Sequence, residues 1–104
     1  MSRQTLVEIT KLGKKILPKN AHLWLYGSHA RGDFHDGSDW DLLVLLDKES
    51  QQWHDFDLYA NPFIERGWEL GEDIRPQIYT KAEWEQQWFT PFYHNVERDK
   101  VKLL

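Results

Sequence analysis

The sequence predicts an α/β (α+β) fold in which helices flank a small mixed sheet of at least three strands. Short apolar runs alternate along the chain with segments whose apolar residues recur at helical spacing. Of its residues, 40% are hydrophobic and the charges are well mixed, which favours a globular protein over a disordered one. A length of 104 residues suits one compact core, so we expect residues 1–104 to form a single domain.

The first predicted element is an amphipathic helix over residues 3–17, whose apolar residues recur at helical spacing. Pro18 interrupts that pattern and ends the helix. Residues 22–26 form a short apolar and aromatic run, which predicts a strand. The strand stops at Gly27, where the backbone must turn sharply, and a short helix follows.

The middle of the chain predicts two further strands. Residues 40–46 are continuously apolar after Asp41, as expected for a central strand that is buried on both faces. A helix is expected from Trp53 onward, with a break or kink near Pro62. Residues 74–79 alternate well enough for a third strand, and its internal proline places it near a sheet edge because proline cannot donate to a ladder.

Two helical segments complete the predicted order. Residues 80–83 have the form of a capping box, a hydroxyl followed three residues later by a carboxylate, so a helix begins there. Thr90-Pro91 begins the last helix, in which Phe92 and Val96 are expected to pack inward while residues 98–102 stay in water. We interpret four of the six tryptophans as core residues: Trp40, Trp53, Trp84 and Trp88.

Composition and charge exclude or disfavour several classes of function. A net charge of -4 provides no broad positive field, which disfavours a long nucleic acid as substrate. The chain has no cysteine, which excludes disulfides and thiolate chemistry and fits a cytoplasmic location. The longest apolar run, Leu42 to Leu46, is far shorter than the ~20 residues that a membrane helix needs, so no membrane span is expected.

The segment after the first strand has the features of a phosphate site. Gly27 lacks a Cβ, so a phosphate can approach the main chain, and the first amides of the following helix would point at it. Ser28 adds a hydroxyl donor, and Arg31 adds a charged fork that suits phosphate oxygens. Taken alone, the Gly-Ser pair would be an ordinary turn with Ser28 as a helix cap, and Arg31 would pair with Asp33 or Asp36.

Two aspartates at the start of the second strand predict a metal site. Asp39 and Asp41 are two residues apart and therefore point to the same face of the sheet, while Trp40 points to the other. Paired carboxylates form a hard-oxygen site for Mg²⁺ or Mn²⁺, which bind triphosphate oxygens as further ligands. The alternative phosphate-binding motif, a P-loop, is excluded because no G-x-x-x-x-G-K-[ST] run is present.

At these residues the chain resembles the minimal nucleotidyltransferases (MNT) of the polymerase-β-like superfamily. Their pattern is an apolar residue, Gly-Ser, a spacer, and then two aspartates separated by an apolar residue. Here the spacer is residues 29–38, which is ten residues, and the rest of the pattern is present at Tyr26, Gly27, Ser28, Asp39, Trp40 and Asp41. Ala30-Arg31-Gly32 and Ser38 match the family as well.

The resemblance implies a role for each matched residue. Gly27 and Ser28 would bind the triphosphate of ATP or another NTP, with assistance from Arg31 and Ser38. Asp39 and Asp41 would bind Mg²⁺ or Mn²⁺ and form the catalytic pair. The implied reaction transfers AMP from ATP to a hydroxyl acceptor, and the implied partner is a helical HEPN-type protein in a toxin-antitoxin pair, with this chain as the antitoxin.

The third predicted strand departs from the family pattern. Active members usually have a third carboxylate there, but this chain has Arg75 and Gln77 on the corresponding face. Asp73 shares that face, yet two residues along a strand is a displacement of ~6.6 Å, so Asp73 substitutes only if the strand is shifted. Alternatively, Arg75 contacts the triphosphate, or neutralises the paired aspartates and leaves a weak or inactive site.

Three functions therefore stay open. The first is an active nucleotidyltransferase, and the second is a nucleotide- or partner-binding subunit without turnover. The third is a small-molecule transferase of the aminoglycoside-modifying kind, which needs a substrate-binding domain that 104 residues do not supply. The histidines show no metal-ligand spacing, and we assign them no role in the chemistry.

Overall fold

The computed structural model describes residues 2–104. Helices and strands follow one another in the predicted order, with one additional strand at the end. In chain order they are α1 (Ser2–Ile16), β1 (His22–Tyr26), α2 (Ser28–Arg31), β2 (Trp40–Leu46), α3 (Asp55–Tyr59), α4 (Asn61–Leu70), β3 (Ile74–Thr80), α5 (Lys81–Glu85), α6 (Pro91–Asp99) and β4 (Val101–Lys102).

The strands form one mixed sheet in the order β3-β2-β1-β4. β1 is antiparallel to both β2 and β4, whereas β2 and β3 are parallel. The predicted fold class is therefore confirmed, and β3, which contains Pro76, lies at an edge as expected. Because the N-terminal ends of β2 and β3 lie side by side, residues that precede these two strands are brought together.

Helices cover both faces of the sheet, so β2 is buried on both sides as predicted. One face packs against α1 and α4, through Ile9 and Phe63. The other packs against α5 and α6, through Trp84 and Val96. β2 supplies alternate residues to the two sides: Trp40, Leu42, Val44 and Leu46 to the first, and Leu43 and Leu45 to the second.

Two of the four tryptophans predicted to be core residues are not buried. Trp53 is 90% exposed and Trp88 is 64% exposed, whereas Trp40 and Trp84 are each 2% exposed, as predicted. Helical periodicity predicted burial of Trp53 and Trp88 wrongly because the neighbouring helices are shorter than expected. α3 begins only at Asp55 and α5 already ends at Glu85, so helical spacing does not apply to either tryptophan.

The end of the chain also differs from the prediction. Residues 98–102 were expected to stay in water, and Arg98, Val101 and Lys102 are exposed, but the sequence did not predict that Val101 and Lys102 form β4 and pair with Leu25 and Trp24 of β1. A strand of two residues is too short to produce a recognisable alternation. The predicted break in the middle helix is confirmed, because α3 ends at Tyr59 and α4 begins at Asn61.

Over residues 2–104, no helix is both long and apolar enough to span a membrane.

Candidate active site

A cavity of about 520 Å³ opens where β1 and β2 meet α2 and α6. Its size lies within the range of about 300–1,000 Å³ that is typical of small-molecule and cofactor sites. All six residues that the sequence singled out lie in its wall: Gly27, Ser28, Arg31, Ser38, Asp39 and Asp41. The fold therefore brings the candidate phosphate and metal residues to one place, although their chemical roles stay predictions.

Gly27 lies directly beside the carboxylate of Asp41. The antiparallel register pairs Tyr26 with Asp41, which places the turn after β1 next to the start of β2. Gly27 has φ 78° and ψ −159°, a conformation that is essentially restricted to glycine. A Cβ built on Gly27 would overlap with Oδ2 of Asp41 and lie 3.2 Å from its Cγ. The missing side chain thus makes room for the carboxylate of Asp41 against the main chain.

The helix that follows is a single turn. The amides of Ala30 and Arg31 donate to the carbonyl oxygen of Gly27, at 3.1 and 3.0 Å, and Gly32 ends the turn with φ 88°. The N-cap residue is Gly27, and no side chain caps the helix. The alternative interpretation of Ser28 as a helix cap is therefore not supported, and Ser28 instead lines the cavity.

Arg31 links α2 to α6. Its Nη1 donates to Oδ2 of Asp99 at 2.9 Å, and its Nε donates to Oδ2 of Asp33 at 3.1 Å. The pairing with Asp33 is one of the alternatives that the sequence left open, whereas Asp99 lies 68 residues further along the chain. The Asp99 side chain is only 8% exposed, so it anchors the guanidinium at the cavity wall.

Replacing Asp99 with asparagine is expected to lower the thermal stability at neutral pH. Hydrogen bonds from Arg98 and Arg31 lower the pKa of Asp99 to about 2, compared with about 3.9 for an ordinary aspartate. A carboxyl whose pKa is lowered by folding stabilises the folded state above its ordinary pKa, and that contribution is lost as the pH falls through the lowered value. Melting temperatures of the wild type and Asp99→Asn from pH 7 to pH 2 test this.

The difference between these two melting temperatures should be constant above about pH 5 and should close below it. Asp33→Asn is the matched control, because Asp33 also pairs with Arg31 but its side chain is 62% exposed. The control should have a smaller effect. A difference for Asp99→Asn that stays the same down to pH 2 would contradict the assigned role of its carboxylate.

The paired aspartates form a region of poorly compensated negative charge. Burial, and then the neighbouring Asp39, raise the pKa of Asp41 above its ordinary value. Burial and Asp41 likewise raise the pKa of the Tyr26 hydroxyl to about 12. A positive charge beside Asp41 would relieve this cost. Two carboxylates that line one cavity with Ser28 therefore fit a divalent cation bound together with phosphate oxygens.

The third carboxylate of the family pattern is replaced by an arginine. β3 pairs Arg75 with Asp41, and Nε of Arg75 lies 3.4 Å from Oδ2 of Asp39. Nη2 of Arg75 lies 3.0 Å from Oδ2 of Asp73, which directly precedes β3. Among residues 2–104, no group of three or more histidine, aspartate or glutamate residues is arranged to hold a metal ion. The residue paired with Asp41 is thus a cation instead of a carboxylate, and the Asp73 carboxylate lies beside Asp39.

The loop before β2 is held in place by a stack of three rings. His29 lies between Phe34 and Trp40, with ring centroids 4.5 and 3.6 Å apart. Nε2 of His29 is 3.3 Å from the carbonyl oxygen of Ser38, and Oγ of Ser38 accepts a hydrogen bond from the amide of His35 at 2.9 Å. His29 therefore packs and positions the loop that carries Ser38 and Asp39.

Sequence reasoning missed one wall of the cavity. Phe92, Asn95 and Asp99 of α6 line the cavity together with the Gly-Ser turn, and the ring of Phe92 contacts Tyr26 edge to face at 5.9 Å. Phe92 was predicted to pack inward, but no local pattern placed α6 at the site. Only the long-range packing of α6 against β1 and β2 shows its position.

Comparisons with known proteins agree with this fold. A crystal structure of a toxin-antitoxin with AMP-PNP is 20% identical with a TM-score of 0.62, and the match covers 95% of this chain and 72% of that one. A tri-AMPylated Shewanella oneidensis HEPN toxin in complex with MNT antitoxin is matched at 19% identity and a TM-score of 0.62, covering 100% of this chain and 72% of that one. A candidate nucleotidyltransferase from Sulfolobus solfataricus is 22% identical, with a TM-score of 0.55 and coverage of 95% and 82%.

These likenesses, each below 25% identity, show a shared fold. No curated protein matches the chain. The family model for the nucleotidyltransferase domain matches residues 6–102, which include all four strands and all six candidate site residues. The chain therefore belongs to the nucleotidyltransferase domain family.

Proposed function

We propose that residues 1–104 act as a single minimal nucleotidyltransferase domain that transfers AMP from ATP to a hydroxyl acceptor, in the presence of Mg²⁺ or Mn²⁺. One observation carries this proposal: Asp39 and Asp41 line the same cavity as the Gly27-Ser28 turn, and the Asp41 carboxylate lies against the main chain at Gly27. Phosphate and cation would then be neighbours, which is what nucleotidyl transfer requires. Family membership supports the reaction class.

Each candidate residue has a role that follows from its position. Gly27 would let the triphosphate approach the main chain, and Ser28 would donate its hydroxyl to a phosphate oxygen. Asp39 and Asp41 would hold the divalent cation, which supplies neutralisation of the charge on the triphosphate and on the departing pyrophosphate. Arg31, fixed by Asp99, would provide a positive charge at the wall of the cavity.

In the proposed reaction, the acceptor hydroxyl oxygen forms a bond to the α-phosphorus. The bond between that phosphorus and the bridging oxygen of the β-phosphate breaks, and pyrophosphate leaves. The hydroxyl proton passes to solvent. The protein's contribution is to orient the triphosphate and to offset its charge, rather than to form a covalent intermediate.

The proposed acceptor is a protein rather than a small molecule. The solved structures of similar fold include a toxin-antitoxin with AMP-PNP and an AMPylated HEPN toxin with its MNT antitoxin. We therefore propose a helical HEPN-type partner, with this chain as the antitoxin that modifies it. A cytoplasmic location follows from such a role.

Labelled ATP tests the reaction directly. The chain would be incubated with Mg²⁺, a HEPN-type protein and ATP that carries the label on either the α- or the γ-phosphate. Label from the α-phosphate should become attached to protein with release of pyrophosphate, and γ-label should not. Attachment of the γ-label instead would indicate phosphoryl transfer and contradict the proposal.

A second candidate function is a nucleotide- or partner-binding subunit without turnover. The contact between Arg75 and Asp39 favours it, because an internal cation already occupies part of the acidic site. In that case ATP with Mg²⁺ would bind, and Asp39→Asn would weaken this binding, but no α-label would be transferred. Calorimetric titration of ATP against the wild type and Asp39→Asn, alongside the transfer assay, distinguishes the two functions.

A further inference from the structure

Arg75 joins two carboxylates at the rim of the proposed metal site. Its Nε and Nη2 donate to Oδ2 of Asp73 at 3.1 and 3.0 Å, and Nε also lies 3.4 Å from Oδ2 of Asp39. The parallel register also aligns Arg75 with Asp41, so all these charges lie on one face of the sheet. The position that the family pattern reserves for an acid is thus held by a permanent cation.

The contact between Arg75 and Asp39 affects the binding of a free metal ion to the site. A divalent cation must take carboxylate oxygens as ligands, and one oxygen of Asp39 already faces the guanidinium. A bound guanidinium and an incoming cation also repel each other. Metal alone therefore competes with Arg75 for Asp39, whereas a site with three free carboxylates would attract it.

A triphosphate has the opposite effect. Its oxygens match the planar fork of a guanidinium at least as well as a carboxylate does. The Arg75 side chain is 61% exposed, so little packing restrains it. Exposed ion pairs contribute little to stability, and exchanging them for phosphate contacts costs little. Once Arg75 turns to the phosphates, the oxygens of Asp39 are free for a cation.

We propose that Arg75 is an internal counter-ion that keeps free divalent cations off Asp39 and transfers to the phosphates of an incoming triphosphate, so that nucleotide and metal bind together. This inference rests on the proposed function, because it requires a nucleotide site at Asp39 and Asp41. It assigns to Arg75 both triphosphate binding and control of metal entry.

Two titrations test the proposal. Manganese binding to the nucleotide-free chain, followed by the loss of the free Mn²⁺ electron paramagnetic resonance signal, should be about tenfold tighter for Arg75→Gln than for the wild type. ATP binding in EDTA, followed by calorimetry, should be about tenfold weaker for the same variant. A structural role for Arg75 would not move the two affinities in opposite directions.

Arg66→Gln is the matched control. Arg66 also bridges two carboxylates, those of Glu8 and Glu69, and its side chain is 38% exposed, but it lines a separate pocket between α1 and α4. Arg66→Gln should leave the affinity for Mn²⁺ and the affinity for ATP in EDTA unchanged.

Failure of the role proposed for Arg75 can be distinguished from failure of the proposed function. If the wild type binds Mg²⁺ with ATP in a way that Asp39→Asn weakens, yet Arg75→Gln binds Mn²⁺ no more tightly or binds ATP in EDTA no more weakly, only the role of Arg75 is overturned. If the wild type binds no ATP with Mg²⁺, the proposed function is wrong and the role of Arg75 falls with it.

Discussion

Asp41→Asn should reduce the transfer of AMP by about 100-fold or more, as expected when a group that stabilises transition-state charge is removed. Asparagine keeps the shape of the side chain but removes the negative charge beside Gly27 and the cavity. A divalent cation then loses a ligand, and the triphosphate loses the neutralisation that the cation supplies. The measurement is the initial rate of α-label transfer from ATP with Mg²⁺.

The same substitution should not destabilise the protein. Burial and Asp39 raise the pKa of Asp41, which means that its charged form costs stability in the folded state at neutral pH. Removing the charge should therefore leave the urea midpoint unchanged or raise it. A lower activity with an equal or higher stability is typical of a functional residue and not of a structural one.

Asp36→Asn provides the control for Asp41→Asn. Asp36 is an exposed acid in the loop that precedes β2, and it is absent from the cavity wall. Both substitutions change the net charge equally, so a general electrostatic effect would appear in both. Full transfer activity in Asp41→Asn, or an equal loss in Asp36→Asn, would sink the assignment of Asp41 as a catalytic carboxylate.

Gly27→Ala should weaken ATP binding by at least about tenfold, roughly 1.4 kcal/mol. Its Cβ would overlap with Oδ2 of Asp41 and displace the carboxylate that we propose binds the cation beside the phosphates. The backbone at φ 78° and ψ −159° also penalises any side chain; we expect a loss of about 1–3 kcal/mol in the free energy of unfolding. Calorimetric titration with ATP and Mg²⁺, together with urea unfolding, measures both effects.

Gly71→Ala separates the two effects in Gly27→Ala. Gly71 has φ 72° and ends α4, and a Cβ there would meet nothing within 4 Å. It should lose about 1 kcal/mol of stability, since a left-handed conformation is costly for alanine, but bind ATP normally. ATP binding by Gly27→Ala at the wild-type level would show that the phosphates lie elsewhere.

Much of the fold was predictable because its signals are local. The apolar run at residues 40–46 and the proline in β3 correctly indicated a central strand and an edge strand. The capping box at Thr80 and Glu83 is present and begins α5. The errors at Trp53 and Trp88 occurred where a helical spacing extended beyond the helix itself, since periodicity carries no information on where hydrogen bonding ends.

The candidate site was likewise predictable in one part and not in another. The Gly-Ser turn and the aspartate pair could be predicted from the sequence, because Gly27 directly follows an apolar strand and alternation along the next strand decides which residues share a face. Only the tertiary structure decided that Arg75 holds Asp39 and that Asp99 of α6 holds Arg31. Those contacts join segments that are distant along the chain, and they depend on strand register and helix packing, which leave no periodic trace in the order of the residues.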